Sequence, residues 1–258
     1  MPTLKIVTWN VNSLRVRMPY LLEWLDEHKP DIIGLQELKM QHEDFPVDLF
    51  KDKGYESAWY GQKTFNGVAI LSKYHILRQY NGLPAFNDEQ RRAISIETEY
   101  GCFINLYCPN GKERGTPSFS YKMLWYKHLI LYLKEINNYG NRCVVFGDFN
   151  IAPDEIDIYD HTLFENRILC TSEEKECFKS VLDAGFIDIF RKLHPTEEQY
   201  SWWDYRGGSF RQNKGARIDH ILIDTKHESD AVSCSVDLKL RKEERPSDHA
   251  PVVAEIKA

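Results

Sequence analysis

The chain contains no CxxC pair, no GxSxG turn, no GxxxxGK[ST] loop and no GxGxxG fingerprint. Without CxxC pairs, a structural zinc site is not expected. Without a nucleophile elbow or glycine-rich phosphate loops, neither a serine hydrolase nor a nucleotide-binding enzyme is indicated. No apolar run reaches the roughly 18 residues of a membrane-spanning helix, so no membrane association is expected. The N-terminus enters a strand pattern at Leu4 and shows no basic-then-apolar leader. Positive charge is also short. Against 39 Asp and Glu stand 33 Lys and Arg, a formal net charge of −6, which argues mildly against bulk nucleic-acid binding but leaves room for one basic face. The six cysteines, Cys102, Cys108, Cys143, Cys170, Cys177 and Cys234, sit partly in apolar runs. There a free thiol behaves as a small hydrophobe, and a reducing cytoplasm without disulfides is expected.

What is present is enough material for a large core: 258 residues of even texture, 42% of them hydrophobic. Strand patterns run over residues 4–9, 32–35, 57–60, 68–71, 93–96, 103–107, 218–223 and 252–256. Helical spacing covers 19–28, with Pro19 near the first turn, 120–137, with Leu124, Leu129, Leu133 and Ile136 toward the core, and 173–184. The closely spaced middle strands predict hairpins and a mixed sheet. Residues 152–170 read as a long polar irregular segment, of the kind that is often functional. No linker, repeat or low-complexity tract divides the chain. A single α/β domain over residues 1–258 is expected, with two sheets face to face and helices outside.

Chemistry concentrates where apolar runs end. Cys143-Val144-Val145-Phe146 leads into Gly147-Asp148-Phe149-Asn150, and Ser247-Asp248-His249 leads into the last strand. If the chain stays extended, Asp148 and Asn150 point the same way, and an acid with an amide can hold a water between them. The alternative is a strand-end turn, where Asp and Asn are common for local hydrogen bonds. Asp219 lies inside an apolar strand, which is costly without a partner. His249 is assigned to it across strands, a pairing that favours imidazolium, while His220 points the other way and reads as a packing or surface residue. Glu37 follows a buried strand and offers oxygen to a hard cation; magnesium needs only one or two carboxylates. Asn10 and Asn12 are placed to complete the site or hold a phosphate oxygen, though a helix cap also explains Asn12. Water attack assisted by a metal is the natural chemistry for such a set. Aromatic and basic residues mix over 200–217, where stacking and phosphate contact are open alongside a buried edge strand. Arg15, Lys63, Lys112, Arg114 and Lys122 read as scattered surface charges, and 239–245 as a solvated loop.

Taken together these stretches resemble the exonuclease III family of DNA-repair nucleases, within the endonuclease/exonuclease/phosphatase superfamily. The matching segments are Thr8 to Arg15, Pro30 to Glu37, Asn105-Leu106-Tyr107, Gly147 to Asn150, Ser201 to Arg206, Arg217-Ile218-Asp219 and Arg245 to Pro251, in the family's order. The resemblance implies a four-layer α/β sandwich, two packed mixed β-sheets flanked by helices, with a Mg²⁺ or Mn²⁺ site at one end. It implies that Tyr107, Asp148, Asn150, Asp219 and His249 are catalytic. Asn10, Glu37, Asp148, Asn150, Asp248 and His249 would surround the metal. Asn12, Arg15, Asn110, Lys112, Trp202, Arg206, Arg217 and Ile218 would face DNA. Asn12 stands where some relatives have Asp, and Ala216 where some have Trp. The implied partner of this monomer is double-stranded DNA carrying abasic sites or 3′ ends. Bulky residues of the 152–172 segment, Phe164, Arg167 and Leu169, are expected to limit entry of an extrahelical abasic sugar and to favour 3′-end processing. Another phosphoesterase of the superfamily is the alternative.

Overall fold

The computed structural model describes residues 2–164 and 166–258. The first half of the chain forms β1 (Thr3–Asn10), α1 (Leu14–His28), β2 (Ile32–Gln36), α2 (Val47–Asp52), β3 (Glu56–Tyr60), β4 (Val68–Ser72), β5 (Arg78–Asn81), β6 (Ala93–Thr98) and β7 (Gly101–Tyr107). The second half forms α3 (Pro117–Asn138), β8 (Cys143–Asp148), α4 (His161–Phe164), α5 (Ser172–Asp183), β9 (Phe186–Asp188), α6 (Ile189–Leu193), β10 (Asp219–Asp224), β11 (Ala231–Val236) and β12 (Val252–Lys257). One sheet has the order β11-β12-β1-β2-β4-β3 and the other β5-β6-β7-β8-β10-β9. Each contains one parallel pair, β1 with β2 and β7 with β8, and the chain crosses between the partners through α1 and α3.

The period-2 alternation of side chains builds the four layers. Leu4 and Ile6 of β1 meet Val144 and Phe146 of β8 between the sheets. Val7 and Trp9 turn outward onto Leu21 and Trp24 of α1. On the opposite side Cys143 and Val145 pack on Trp125, Tyr126 and Leu129 of α3. Both faces of the central strands are therefore covered, and the expected four-layer sandwich with two mixed sheets is the architecture observed. Among the described residues, no helix is long and apolar enough to cross a membrane.

The sheets approach closely at Gly34. A β-carbon there would lie 2.3 Å from Phe146 and 2.8 Å from Asn105. That proximity lets Asn105 of one sheet donate to the backbone carbonyls of Leu35 (3.0 Å) and Ala69 (2.8 Å) in the other. Gln36 joins the link, donating to Asn105 Oδ1 (2.6 Å) and Thr8 Oγ (2.9 Å). The register of the two sheets is thus fixed within two residues of the strand ends. Those ends share one edge: Asn10, Gln36, Tyr107 and Asp148 finish their strands there, and Asp219 begins β10 directly opposite Asp148.

Several expectations change. Helix α1 begins at Leu14 and carries Pro19 inside it, because buried Leu14 extends the apolar face backward and Arg17 is held by the carbonyls of Asn12 and Pro246. Leu124 is 46% exposed; Trp125 and Tyr126 take the core face of α3 instead. The segment 239–245 is not simply solvated. Leu240 and Arg241 are buried, and the Arg241 guanidinium lies 4.7 Å from the Phe210 ring centre. The 152–170 segment holds a short 3₁₀ turn over Glu155–Asp157 as well as α4.

That segment is anchored by buried charge. Arg217 donates to Asp157 Oδ1 (2.7 Å) and Asp188 Oδ2 (2.6 Å), and Arg191 also reaches Asp157 (2.5 Å). Burial raises the Asp188 pKa, but Arg217 and His220 outweigh it and hold the carboxyl well below its ordinary range. Removing one partner from such a network leaves an uncompensated charge, so Arg217→Met is expected to cost about 3–5 kcal/mol in urea denaturation at neutral pH. A depressed folded-state pKa contributes stability above the unfolded value, near 4, and loses it as pH falls through the folded value. The gap between wild type and the variant should therefore narrow on acidification toward about pH 2.

Candidate active site

Asp148 closes β8 and is 1% exposed. Its Oδ2 accepts from Asn10 Nδ2 at 2.9 Å, and the same amide group donates to Glu37 Oε1 at 2.9 Å. Asn10 thereby sets the angle between the two carboxylates, while its own oxygen accepts the Asn12 backbone N–H (2.9 Å). Glu37 sits in a left-handed backbone conformation (φ 52°) just past β2, and Lys39 Nζ lies 2.9 Å from its second oxygen.

His249 stands across from this pair. Its Nδ1 is 2.8 Å from Asp219 Oδ2, and its Nε2 is 3.7 Å from Asp148 Oδ2. Ser201 Oγ donates to the same Asp219 oxygen (2.7 Å), and Trp9 Nε1 donates to the His249 carbonyl (3.1 Å). The imidazole is buried, which by itself disfavours charge, but Asp219, Asp148 and Asp248 prevail and raise its pKa to about 10. Burial, with Asp219 and Glu37 nearby, raises Asp148 to about 7 against the opposing pull of His249 and Asn10. The site therefore pairs a carboxylate able to take a proton near neutrality with an imidazolium that keeps its own. Tyr107 lies in register with Asp148 on the neighbouring strand. Burial and then Glu37 push its phenol upward against Arg92, whose guanidinium sits 4.6 Å over the ring, so Tyr107 is a neutral hydrogen-bond donor.

Asn150 is not extended. At φ 50° its N–H turns back to Asp148 Oδ1 (2.9 Å). Its side chain donates to the Cys108 carbonyl (3.0 Å) and accepts from Asn110 (2.9 Å). The strand-end turn and the acid–amide pair, posed as alternatives in the sequence, are one structure.

Ligand atoms of Glu37, Asp148 and His249 lie within 4.8 Å of one another. Two carboxylates of this kind suit a hard divalent cation, and the ammonium of Lys39 beside Glu37 marks the same preference for positive charge. His249 belongs to this cluster by its geometry, and as imidazolium it carries a proton on both nitrogens. Asp248 lies outside the cluster and accepts from Asn12 Nδ2 (2.9 Å) and Trp202 Nε1 (3.0 Å). Asn10 presents nitrogen rather than oxygen to the carboxylates. Asn150 keeps one amide hydrogen and one oxygen lone pair beyond the two bonds described.

Of the residues expected to meet DNA, Arg15, Asn110, Lys112 and Arg206 are exposed, with Arg206 paired to Asp204 (2.6 Å). Asn12 and Trp202 flank Asp248. Arg217 is a correction: it is 1% exposed and bound to Asp157 and Asp188, so it cannot contact a backbone. Ile218 is buried in a small cluster with Ala152, Leu169, Cys170 and Ala216, against which Trp202 and Phe164 pack. Lys122 is a further correction, fully buried behind Asn150. Lys39, Arg92 and Ser201 were missed; Lys39 alone carried a signal, its spacing of two from Glu37.

A family profile described as Endonuclease/Exonuclease/phosphatase family matches residues 7–249. Exodeoxyribonuclease III of Haemophilus influenzae is 38% identical, over 98% of this chain and 100% of that protein. The solved structure of the 3′ phosphatase NExo from Neisseria, bound to product DNA hairpin, is 42% identical with a TM-score of 0.96, covering 99% of this chain and 100% of that one. An AP endonuclease from Archaeoglobus fulgidus is 35% identical with a TM-score of 0.95, again over 99% and 100% of the two chains.

The charge on His249 can be tested apart from turnover. In metal-free protein an NMR titration should find the ring protonated through pH 8, and Asp219→Asn should lower its pKa by about 1–3 units. An unchanged titration would show that Asp219 does not hold the charge.

Proposed function

The chain belongs to the endonuclease/exonuclease/phosphatase family, in its exonuclease III branch, and from that premise we propose a Mg²⁺-dependent (or Mn²⁺-dependent) DNA-repair nuclease. It hydrolyses phosphodiester bonds of double-stranded DNA at abasic sites and 3′ ends. The reading is carried by one observation: Glu37, Asp148 and the Asp219–His249 pair converge at a single strand-end edge.

Each group has a task that its geometry suits. Asp148 takes the proton of the attacking water, which Asn150, fixed by Cys108 and Asn110, helps to orient. His249, charged and held by Asp219, donates from Nε2 to a non-bridging phosphate oxygen, where negative charge builds as the water adds. Tyr107 donates to the same phosphate. Glu37 and Asp148 are the residues to hold the divalent cation, which when bound supplies polarisation of the phosphate and neutralises developing charge. Arg15, Asn110, Lys112 and Arg206 would flank the duplex, with Asn12 and Trp202 nearer the scissile group. Residues 1–258 act in this reading as one monomeric domain, supported by an inter-sheet core drawn from both halves of the chain. Six free cysteines suit a reducing cytoplasm.

A narrower second reading is favoured by the cluster beside Trp202. Ile218 and Leu169 are 2% and 4% exposed, and side chains packed this closely beside Trp202 would hinder entry of an extrahelical sugar. A 3′ terminus needs no such pocket, and 3′-end processing should then exceed abasic incision.

Chelation of divalent cations should abolish cleavage, and Asp148→Asn should lower turnover by about 10²–10⁴ while leaving duplex binding intact. Full activity in excess chelator would refute the cation assignment. Comparing a 3′-phosphate duplex with an internal abasic duplex tests the narrower reading; faster incision of the abasic strand would sink it.

A further inference from the structure

Lys122 is a buried cation with no place in the chemistry above. It lies on α3, on the helix face that also carries Trp125 and Tyr126, and is 0% exposed. Its ammonium donates to the backbone carbonyls of Asn150 (2.7 Å) and Asn110 (3.2 Å), and to Glu174 Oε1. Glu174 in turn accepts from the N–H (3.0 Å) and hydroxyl (2.9 Å) of Thr171, closing the capping box of α5. Gly111 makes room for the lysine stem: at φ 86°, a β-carbon there would lie 2.9 Å from Lys122 Cδ. Tyr126, on the same helix, donates its hydroxyl to the Phe149 carbonyl (2.5 Å).

A buried ammonium gives up much hydration, and apolar packing would serve a core as well. What apolar packing cannot do is donate three hydrogen bonds in fixed directions. Two of the three acceptors here are the backbones of Asn110 and Asn150, whose side chains bond each other beside Asp148. The third leads to Thr171, where the 152–170 segment ends.

We propose that Lys122, held by Glu174, is a positioning residue that fixes the Asn110–Asn150 amide pair against Asp148 and ties it to the end of the 152–170 segment. The proposal rests on the nuclease reading for its kinetic consequence but not for its structural one. Lys122→Met leaves Glu174 unpaired and is expected to destabilise the fold. Lys122→Met/Glu174→Gln removes both charges and keeps a residue able to complete the capping box, so it should melt within about 4 °C of wild type.

In this double variant, hydrogen exchange of the 108–112 and 149–152 amides should accelerate several-fold while the amides of β7 and β8 stay protected. On a 3′-phosphate duplex with Mg²⁺, kcat should fall about 10²-fold with KM little changed. Wild-type exchange in both segments would overturn the proposal. So would a kcat loss that merely tracks a lower melting temperature, with the two segments exchanging no faster than the core. If wild-type protein cleaves no DNA, the nuclease reading fails, and the exchange data still decide whether Lys122 holds the loop.

Discussion

Asp148 and Asp219 face each other across the β8–β10 ladder, and the rest of the active edge follows from having two buried carboxylates side by side. Like charges at that separation in a poorly hydrated site cannot both stay ionised without positive charge nearby. His249 supplies it, 2.8 Å from one carboxylate and 3.7 Å from the other. The imidazole must then be held rigidly. Trp9 bonds its carbonyl, Ser247 accepts its N–H (3.2 Å), and Ser247 Oγ donates to the Asn10 carbonyl (2.6 Å). The segment before β12 is thus locked to the end of β1 in the same sheet, and the Gly34–Asn105 approach keeps the two sheets in register behind it.

Buried charge elsewhere follows the same rule but serves different ends. Arg217, Arg191, Asp157 and Asp188 form a closed group that anchors the 152–170 segment to β9 and β10. Lys122 and Glu174 form a second, directed at backbone carbonyls. Asp148, by contrast, is pushed up to about 7 by burial and is poised to exchange a proton near neutrality. The distinction is one of balance: the first two networks have an opposite charge for each burial, and the active edge does not.

The same distinction explains what the amino-acid sequence disclosed. Asp148, Asp219 and His249 stood out because acids and a histidine interrupted apolar strand runs, where they are expensive without a purpose. The strands carrying them were legible for the same reason, since both faces are buried. Arg217 and Lys122 were misread as DNA-facing and surface cations because their partners are distant in sequence: Asp157 and Asp188 for one, Glu174 and two backbone carbonyls for the other. No local pattern encodes such pairings. β5 and β11 went unseen because they are exposed edge strands, and β9 because three residues show no alternation. Pro19 misled on α1, since proline marks a first turn far more often than an exposed interior position.

Charge balance at the edge also bears on how an acidic protein meets DNA. Glu37, Asp148, Asp219 and Asp248 gather around two positive groups, His249 and Lys39. The chain's own side chains therefore leave the centre negative, and Asp219 and Glu37 add to the burial that raises the Asp148 pKa. A phosphodiester brings further negative charge, so it is repelled from this centre unless a cation enters with it or before it. A divalent ion on Glu37 and Asp148 would remove the excess and draw the Asp148 pKa back down, leaving a base that is ionised when the water must be deprotonated. The net charge of −6 is then no argument against a DNA substrate. It is a sum over the whole surface, and Arg15, Lys112 and Arg206 remain exposed whatever that sum.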